Sequence, residues 1–471
     1  MRAKPSQRQP TNHQRGWSSG RPFLPASGRT VCTGLHGWRF LISAGRAPPC
    51  ALIPKELQRQ LRRFRYNSVM LRFFTAGESH GEALVANISG LPAGIPVTEA
   101  AIDRELWRRQ QGFGRGGRMR IERDHARILS GVRHGHSIGS PIAMLIENRD
   151  WQNWSEALPV GEGDPEKHRA VKSPRPGHAD LAGALKYNLP EARYILERAS
   201  ARETTARVAA GAVAKQLLAK LEIEVLSHVI QVGGARLSRA VAFDQLRNLA
   251  LKNEVLLNCA DEESEQRMKA EVDAVLRTGD TVGGIFEVVA HNVPPGLGTY
   301  ANWDERLDAR LAAAAMSIQA VKAVEIGDGV LGAASRGSAA QDEIGYQDPA
   351  AAGDENAATL HSKFTAFTRA GNHAGGLEGG ISNGSDIVVR GHLKPISTLR
   401  RPLASVDFAS REPVKAAYER SDVCAVPAAG VVGEAMVALV LAAAALEKFG
   451  GDSLIELRRN YEGYCEQLHN Y

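Results

Sequence analysis

Apolar positions between residues 70 and 449 recur with two periods, and the period changes from segment to segment. Leu71–Thr75 and Ala83–Ser89 alternate or run apolar, which predicts two strands. Thr98, with acids soon after it and Arg108 and Arg109 at the far end, predicts an N-capped helix through Gln110. Strands follow at Ala126–Val132 and Ile142–Ile146, then a long polar, Pro-containing connection over Asp150–His178. A loop of that length usually carries function or moves. Helices are predicted at Leu181–Tyr187 and at Glu203–Leu221, where apolar residues cover more than one face, so burial is expected on several sides. Strands at Glu224–Val232 and Gly284–Ala290 flank helices around Phe243–Leu251 and Glu265–Leu276. An alanine-rich helix over Asp304–Val321, a polar mobile flap over Gly337–Phe367, a strand at Ile387–Leu393 and a last helix from about Val431 to Phe449 complete the pattern. Strands and helices come in clusters and not in strict alternation, which predicts an α+β fold over a doubly wound sheet. The most apolar run, Ala435–Leu446, lies between Glu434 and Glu447 and reads as a buried helix, not a membrane span.

Charge changes that picture at one end only. The chain carries 58 Lys/Arg and 52 Asp/Glu, a net +6 that would suit a nucleic acid or an anionic surface. Thirteen of those bases and a single acid, Glu56, lie in residues 1–69, so this leader carries +12 and the remaining 402 residues carry −6. The leader is rich in Arg, Ser, Pro and Gly and has no sustained periodicity. Two readings stand for it: an organelle transit peptide, or a start codon placed upstream of a true start at Met70, with the second favoured. Neither gives residues 1–69 a part in the chemistry, and residues 70–471 are expected to form one catalytic domain. Five widely spaced cysteines without a CxxC pair indicate neither a zinc site nor a disulfide framework, so no metal is expected.

Two segments fit G-x-G-x-x-G: Gly112, Gly114 and Gly117, and Gly327, Gly329 and Gly332. Neither has the strand, turn and helix order that dinucleotide binding needs. Arg108, Arg109, Arg115, Arg118, Arg120 and Arg123 are denser than a solvated face requires, and guanidinium forks bind phosphate and carboxylate bidentately. An RNA-binding patch is the alternative reading of this cluster and the leader, but Phe113 is the only aromatic among those arginines. A small polyanion suits the cluster better. Gly77-Glu78-Ser79-His80-Gly81 and Arg175-Pro176-Gly177-His178-Ala179-Asp180 each set a histidine in a turn that a ligand can approach, so both are candidate acid/base groups. Glu197–Thr204 places hydroxyls and arginines at the start of the long helix, Lys394-Pro395-Ile396-Ser397-Thr398 joins a cation to two hydroxyls, and Arg420-Ser421-Asp422 precedes the last helix.

Taken in order, these segments resemble the chorismate synthase family. The set is GESHG (77–81), RRQQGFGRGGRM (108–119), RPGHAD (175–180), ERASARETTARVAAGA (197–212), MSIQAVKAVEIGDG (316–329), NHAGGLEGGISNG (372–384), KPIST (394–398) and RSDVCAVPAAGVVGEAM (420–436). The resemblance spans Met70 to about Lys448.

It implies a sandwich of antiparallel sheets with a layer of helices between them, usually assembled as a homotetramer. It implies a lyase of the shikimate pathway that converts 5-enolpyruvylshikimate-3-phosphate to chorismate by 1,4-anti elimination of phosphate. Reduced FMN is required without net redox change. NADPH enters only indirectly, through an external flavin reductase, and no nucleic-acid or membrane partner is implied. His80 resembles the family's acid beside the departing phosphate, His178 the group that bonds the flavin pyrimidine edge, and Asp422 the partner of the flavin base. Cofactor contacts map to Arg109, Arg115, Arg198, Ala199, Ser200, Gln319, Ala320, Gly379, Lys394, Pro395, Ile396, Ser397, Thr398 and Arg420. Ala199, Ala323, Ser421 and Val423 depart from the family's frequent residues, and none of these changes removes a charged group. A cytoplasmic location is expected, or organelle import if the leader is a transit peptide.

Overall fold

The computed structural model describes residues 71–116, 122–347, 360–361, 363–419 and 421–471. The leader, together with Arg118, Arg120 and Arg420, lies outside the described residues. Two antiparallel sheets dominate. The first has four strands, β1 (Arg72–Ala76), β2 (Ala83–Ser89), β3 (Arg127–Ile128) and β4 (Ile142–Glu147), in the order β1-β2-β4-β3. The second has five strands, β5 (Glu224–Val232), β6 (Ala235–Arg236), β7 (Gly284–His291), β8 (Val321–Ile326) and β9 (Ile387–Leu393), in the order β8-β9-β7-β5-β6.

The helices are α1 (Glu99–Gln110), α2 (Asp180–Tyr187), α3 (Arg193–Ala199), α4 (Thr204–Leu218), α5 (Phe243–Leu251), α6 (Glu262–Thr278), α7 (Leu307–Met316), α8 (Val426–Phe449) and α9 (Leu454–His469). α4 packs on β1 and β2, α8 packs on β5 and β7, and α4 and α8 pack on each other, with α1 against both. The order of layers is therefore sheet, helix, helix, sheet, the α+β sandwich that the resemblance implies.

Residue size sets this spacing. Every position of α8 from Val426 to Leu439 is buried, as is most of the rest, so the helix has no solvent face to make it amphipathic. By length and composition α8 could cross a membrane, but almost all of it is buried inside the fold. Small residues let it be flanked on both sides. A Cβ at Gly211 of α4 would stand 2.3 Å from Ala435 Cβ and 2.4 Å from Ala435 Cα, and one at Gly433 would stand 2.6 Å from the ring of Phe286 on β7.

Several sequence expectations are corrected. The strand expected over Ala126–Val132 is broken, because Gly131 turns the chain at φ 82° and Ser130 Oγ donates to Pro141 O (3.0 Å). The alanine-rich helix stops at Met316, since Val321 onward pairs with β9 and Ala320 adopts φ 69° between the two elements. Glu197–Thr204 does not open the long helix. It spans the end of α3, an extended Ser200 and a single 3-10 turn, Ala201–Glu203, before α4 begins. The described part of the expected flap, Gly337–Phe367, includes a short helix at Gly337–Ala340 and strands Ile344–Tyr346 and Leu360–His361, which pair with Phe367–Arg369. The last helix begins at Val426, with Pro427 in its first turn, and α9, capped by Ser453, follows it unforeseen.

The Gly211→Ala variant is expected to lose about 1–3 kcal/mol of stability, because the added methyl meets backbone across the α4–α8 crossing. Urea unfolding measures this, and a midpoint equal to the parent's would refute the packing account.

Candidate active site

The GESHG turn leaves β1 through Gly77, at φ 101°, where any Cβ would stand 2.4 Å from Ala83 O. The turn docks on the end of α3: Ser79 N–H donates to Glu197 O (2.9 Å), and Ser79 Oγ lies 3.1 Å from Ser200 Oγ. His80 Nδ1 lies 2.9 Å from Glu197 Oε1, and His80 N–H donates to Glu197 Oε2 (2.7 Å). Burial works to raise the pKa of Glu197, but hydrogen bonds from His80 and the nearby Arg193 outweigh it and hold the carboxyl below its ordinary value.

The second histidine is built alike. Gly177, at φ 77°, turns the chain so that His178 Nδ1 comes 2.5 Å from Asp180 Oδ1. Asp180, fully buried at the start of α2, also accepts Arg175 N–H (3.0 Å), Nε (2.8 Å) and Nη2 (3.0 Å). Burial again pushes upward, while His178 and Arg175 pull the carboxyl far below the usual aspartate range.

The KPIST loop closes over this turn. Lys394 Nζ donates to Gly177 O, and Arg175 Nη1 donates to Thr398 Oγ1 (2.9 Å). Ser421 Oγ in turn donates to Thr398 O (3.1 Å), which brings the segment before α8 to the same place. Asp422 accepts Gly116 N–H (2.7 Å) and lies 3.3 Å from Arg115 Nε, so it holds the Gly/Arg loop. The same segment reaches the first histidine pair, because Arg193 Nη2 donates to Glu419 (2.8 Å) while Arg193 Nη1 lies 3.5 Å from Glu197. Glu419, Ser421 and Asp422 thus join the surroundings of the two histidines.

Arg109 is buried between α1 and α4. Its Nε donates to Thr204 Oγ1 (2.9 Å), its Nη2 donates to Ala201 O (2.8 Å), and its Nη1 faces Asp124 at 3.8 Å. Burial, helped by the charges of Arg115 and Arg202, brings its guanidinium down to about 10, against the pull of Asp124 and Asp422. Such crowding of like charge marks functional sites. Arg198, partly exposed, donates to Gly77 O (3.0 Å) and Thr75 O (2.9 Å), clasping the GESHG turn. Ala199 and Ser200 form the break between α3 and the 3-10 turn.

Gln319 Nε2 donates to Glu203 (3.1 Å), and its buried Oε1 accepts no hydrogen bond among the described residues. Ala320 O accepts Lys394 N–H (3.0 Å), and Ile396 O accepts Thr281 Oγ1 (2.7 Å), which places 319–320 beside 394–398. Pro395 and Ser397 belong to the same loop, where Ser397 Cβ would lie 3.7 Å from a Cβ on Gly177. Gly379 stands apart from these contacts at the turn between Leu377–Glu378 and Ile381–Ser382, at φ 60°, with open space where a Cβ would project.

A cleft of about 1550 Å³ between β4 and the 149–168 connection adjoins the first histidine, with Glu78, Gly81, Glu197 and Arg198 in its lining. Its walls hold Glu78, Glu82, Glu147 and Glu197 against Arg127, Arg149 and Arg198, a poor lining for an anion. The RNA alternative also loses its aromatic: Phe113 packs on the core with Lys269 Nζ 4.5 Å above its ring.

Sequence reasoning named both histidines but not Glu197 and Trp154 as neighbours of His80. Trp154 stacks on the imidazole with ring centres 4.0 Å apart. Glu197 is 117 residues from His80, and no spacing rule joins them.

Two carboxylate-anchored histidines stand among buried arginines, an arrangement suited to acid–base chemistry on a small anion. Residues 71–446 match the family model described as chorismate synthase. A chorismate synthase of Koribacter versatilis is 71% identical over 403 residues, 85% of this chain and 100% of its own length. That of Acidobacterium capsulatum is 66% identical with the same coverage, and that of Geobacter sulfurreducens is 54% identical over 401 residues, 85% and 99%. A crystal structure of chorismate synthase is similar at a TM-score of 0.65 and 39% identity, over 85% of this chain and 99% of that one. The chain belongs to the chorismate synthase family, carbon–oxygen lyases of the shikimate pathway that supply aromatic amino-acid biosynthesis.

Because the folded-state value of Asp180 lies below that of the unfolded chain, its contribution is fully present above about pH 4 and is lost as pH falls toward the depressed value. Asp180→Asn strips the partner from buried Arg175 and is expected to cost about 3–5 kcal/mol at pH 7. The gap from the parent should narrow below pH 4; unfolding curves at pH 7 and pH 3.5 test both the size and the sign.

Proposed function

We propose that the geometry around Ser421 and Asp422 is the active centre in which phosphate is eliminated from 5-enolpyruvylshikimate-3-phosphate to give chorismate. The observation that carries this reading is the pair of histidines, each fixed at Nδ1 by a buried carboxylate, both tied to the segment that holds Asp422. His80 donates a proton from Nε2 to the departing phosphate, and Arg109 and Arg115 stabilise the charge that develops on it. Asp422, held by Gly116 N–H, is the carboxylate that assists removal of the ring hydrogen.

The polar set fits a phosphorylated flavin: the Lys394 ammonium and the hydroxyls of Ser397 and Thr398 as donors, and as an acceptor the buried Gln319 Oε1, which takes no bond among the described residues. Arg198, Ala199, Ser200, Ala320, Gly379, Pro395, Ile396 and Arg420 complete the set that would hold reduced FMN, with His178 at its pyrimidine edge. Reduced FMN, when bound, supplies the electron density that eases loss of phosphate from an unactivated system, with no net redox change. NADPH serves only an external reductase.

The protein works as a homotetramer without nucleic-acid or membrane partners, and it is cytoplasmic. Residues 1–69 form a leader outside the chemistry and residues 70–471 the catalytic domain. The family match beginning at residue 71 supports that division.

His80→Ala and His178→Ala are each expected to lower turnover by about 100-fold or more when reduced FMN is supplied anaerobically. Phosphate release from the substrate measures this, and parent-like rates in both variants would remove the mechanism.

A further inference from the structure

We propose that Glu197 is a positioning residue for the elimination, acting through His80, whose ring it orients; the inference rests on the reading of His80 as the acid.

Glu197 is almost fully buried and grips His80 twice: one oxygen takes the backbone N–H (2.7 Å) and the other faces Nδ1 (2.9 Å). A carboxylate needed only to satisfy the turn would require the first contact alone. The second fixes the proton of the neutral ring on Nδ1, so Nε2, on the far edge of the imidazole, is the atom that gives up a proton and is left as a lone pair. When the ring is charged, the same carboxylate lies against the cation, the role an orienting carboxylate plays in a catalytic triad.

The face of the ring is fixed as well as its edge. Trp154 stacks on it at 27°, and the guanidinium groups of Arg169 and Arg193 lie 4.4 and 5.0 Å from the indole centre. Arg193 then returns to Glu197 and to Glu419, so the carboxylate that orients His80 is held by an arginine tied to the segment that carries Asp422. The long polar connection thereby serves the site by delivering Trp154 to the imidazole.

Turnover of the full chain with anaerobic reduced FMN, over a range of substrate concentrations, tests the proposal in Glu197→Gln, His80→Ala and the double variant. Glu197→Gln is expected to lower kcat by about 10- to 100-fold with KM within about threefold of the parent. In the double variant the second change should add nothing, because Glu197 has no function left to perform once the imidazole is gone. A structural role would make the two losses multiply, and that outcome overturns the proposal. A parent-like kcat in Glu197→Gln beside a slow His80→Ala also overturns it while leaving His80 as the acid. A fast His80→Ala instead overturns the reading on which the proposal rests. Should Glu197→Gln fail to fold, Glu197→Asp keeps the charge beside Arg193 but shortens the reach; a kcat loss of about tenfold or more is expected, and a loss that persists beside His80→Ala refutes the proposal.

Discussion

A single fully buried carboxylate, Glu434, sets where the middle of this fold can lie. It stands in α8 and accepts Arg108 Nη1 (2.6 Å) and Nη2 (2.7 Å) from α1, Lys215 Nζ (2.7 Å) from α4, and Ser227 N–H (2.8 Å) and Oγ (2.7 Å) from β5. Burial opposes its ionisation, but Arg108 and Lys215 together hold it well below the usual glutamate range. Removing a partner from such a centre strands a charge in a dry interior, so the layers can shift only together. The candidate site inherits this constraint directly. Arg108 and Arg109 are adjacent at the end of α1. With Arg108 committed to Glu434, the helix turn sends Arg109 the other way, toward Thr204 and Ala201.

Legibility of the fold followed the strength of local period. β2, α1, α4, β5 and β9 were readable within a residue or a few because the local period is strong in each, and in α1 the Thr98 cap agrees with it. The alanine-rich stretch was misread because alanine suits a helix wherever it stands, and only the pairing of Val321–Ile326 with β9, some 65 residues away, ends it. The break at Ser200 was hidden for a related reason: Ser79, 121 residues earlier, sits against it and makes the extended conformation useful. α9 was missed because its apolar stripe is narrow, with only Leu457 and Tyr461 buried.

At the site, chemistry was legible wherever a motif carries its own partner. Asp180 is two residues from His178, so RPGHAD contains the whole dyad. Glu197 and His80 come from separate motifs, and the sequence shows two polar segments without the bond between them. Trp154 gave no signal at all, since a tryptophan in a polar connection reads as local packing. What was missing in each case is contact order: turns and caps are written locally, whereas the partners that orient a side chain are supplied by the fold.

The same architecture suits an acidic body to the anion site proposed above. Its arginines are not a positive patch. Arg175 has Asp180, Arg193 has Glu197 and Glu419, Arg115 has Asp422, and Arg202 shares Asp124 with Arg109. A patch of free guanidinium groups would attract any polyanion, nucleic acid included, in proportion to its charge. Paired guanidinium groups hold fixed directions, because each fork is already oriented by a carboxylate, and they favour an anion whose oxygens meet those directions. Burial sharpens the choice. Arg109, deprived of water and crowded by Arg115 and Arg202, is the least comfortable cation in the set, and an anion arriving beside it relieves that repulsion. Selectivity here comes from the placement of a few charges within a neutralised network, not from the sum of charge along the chain.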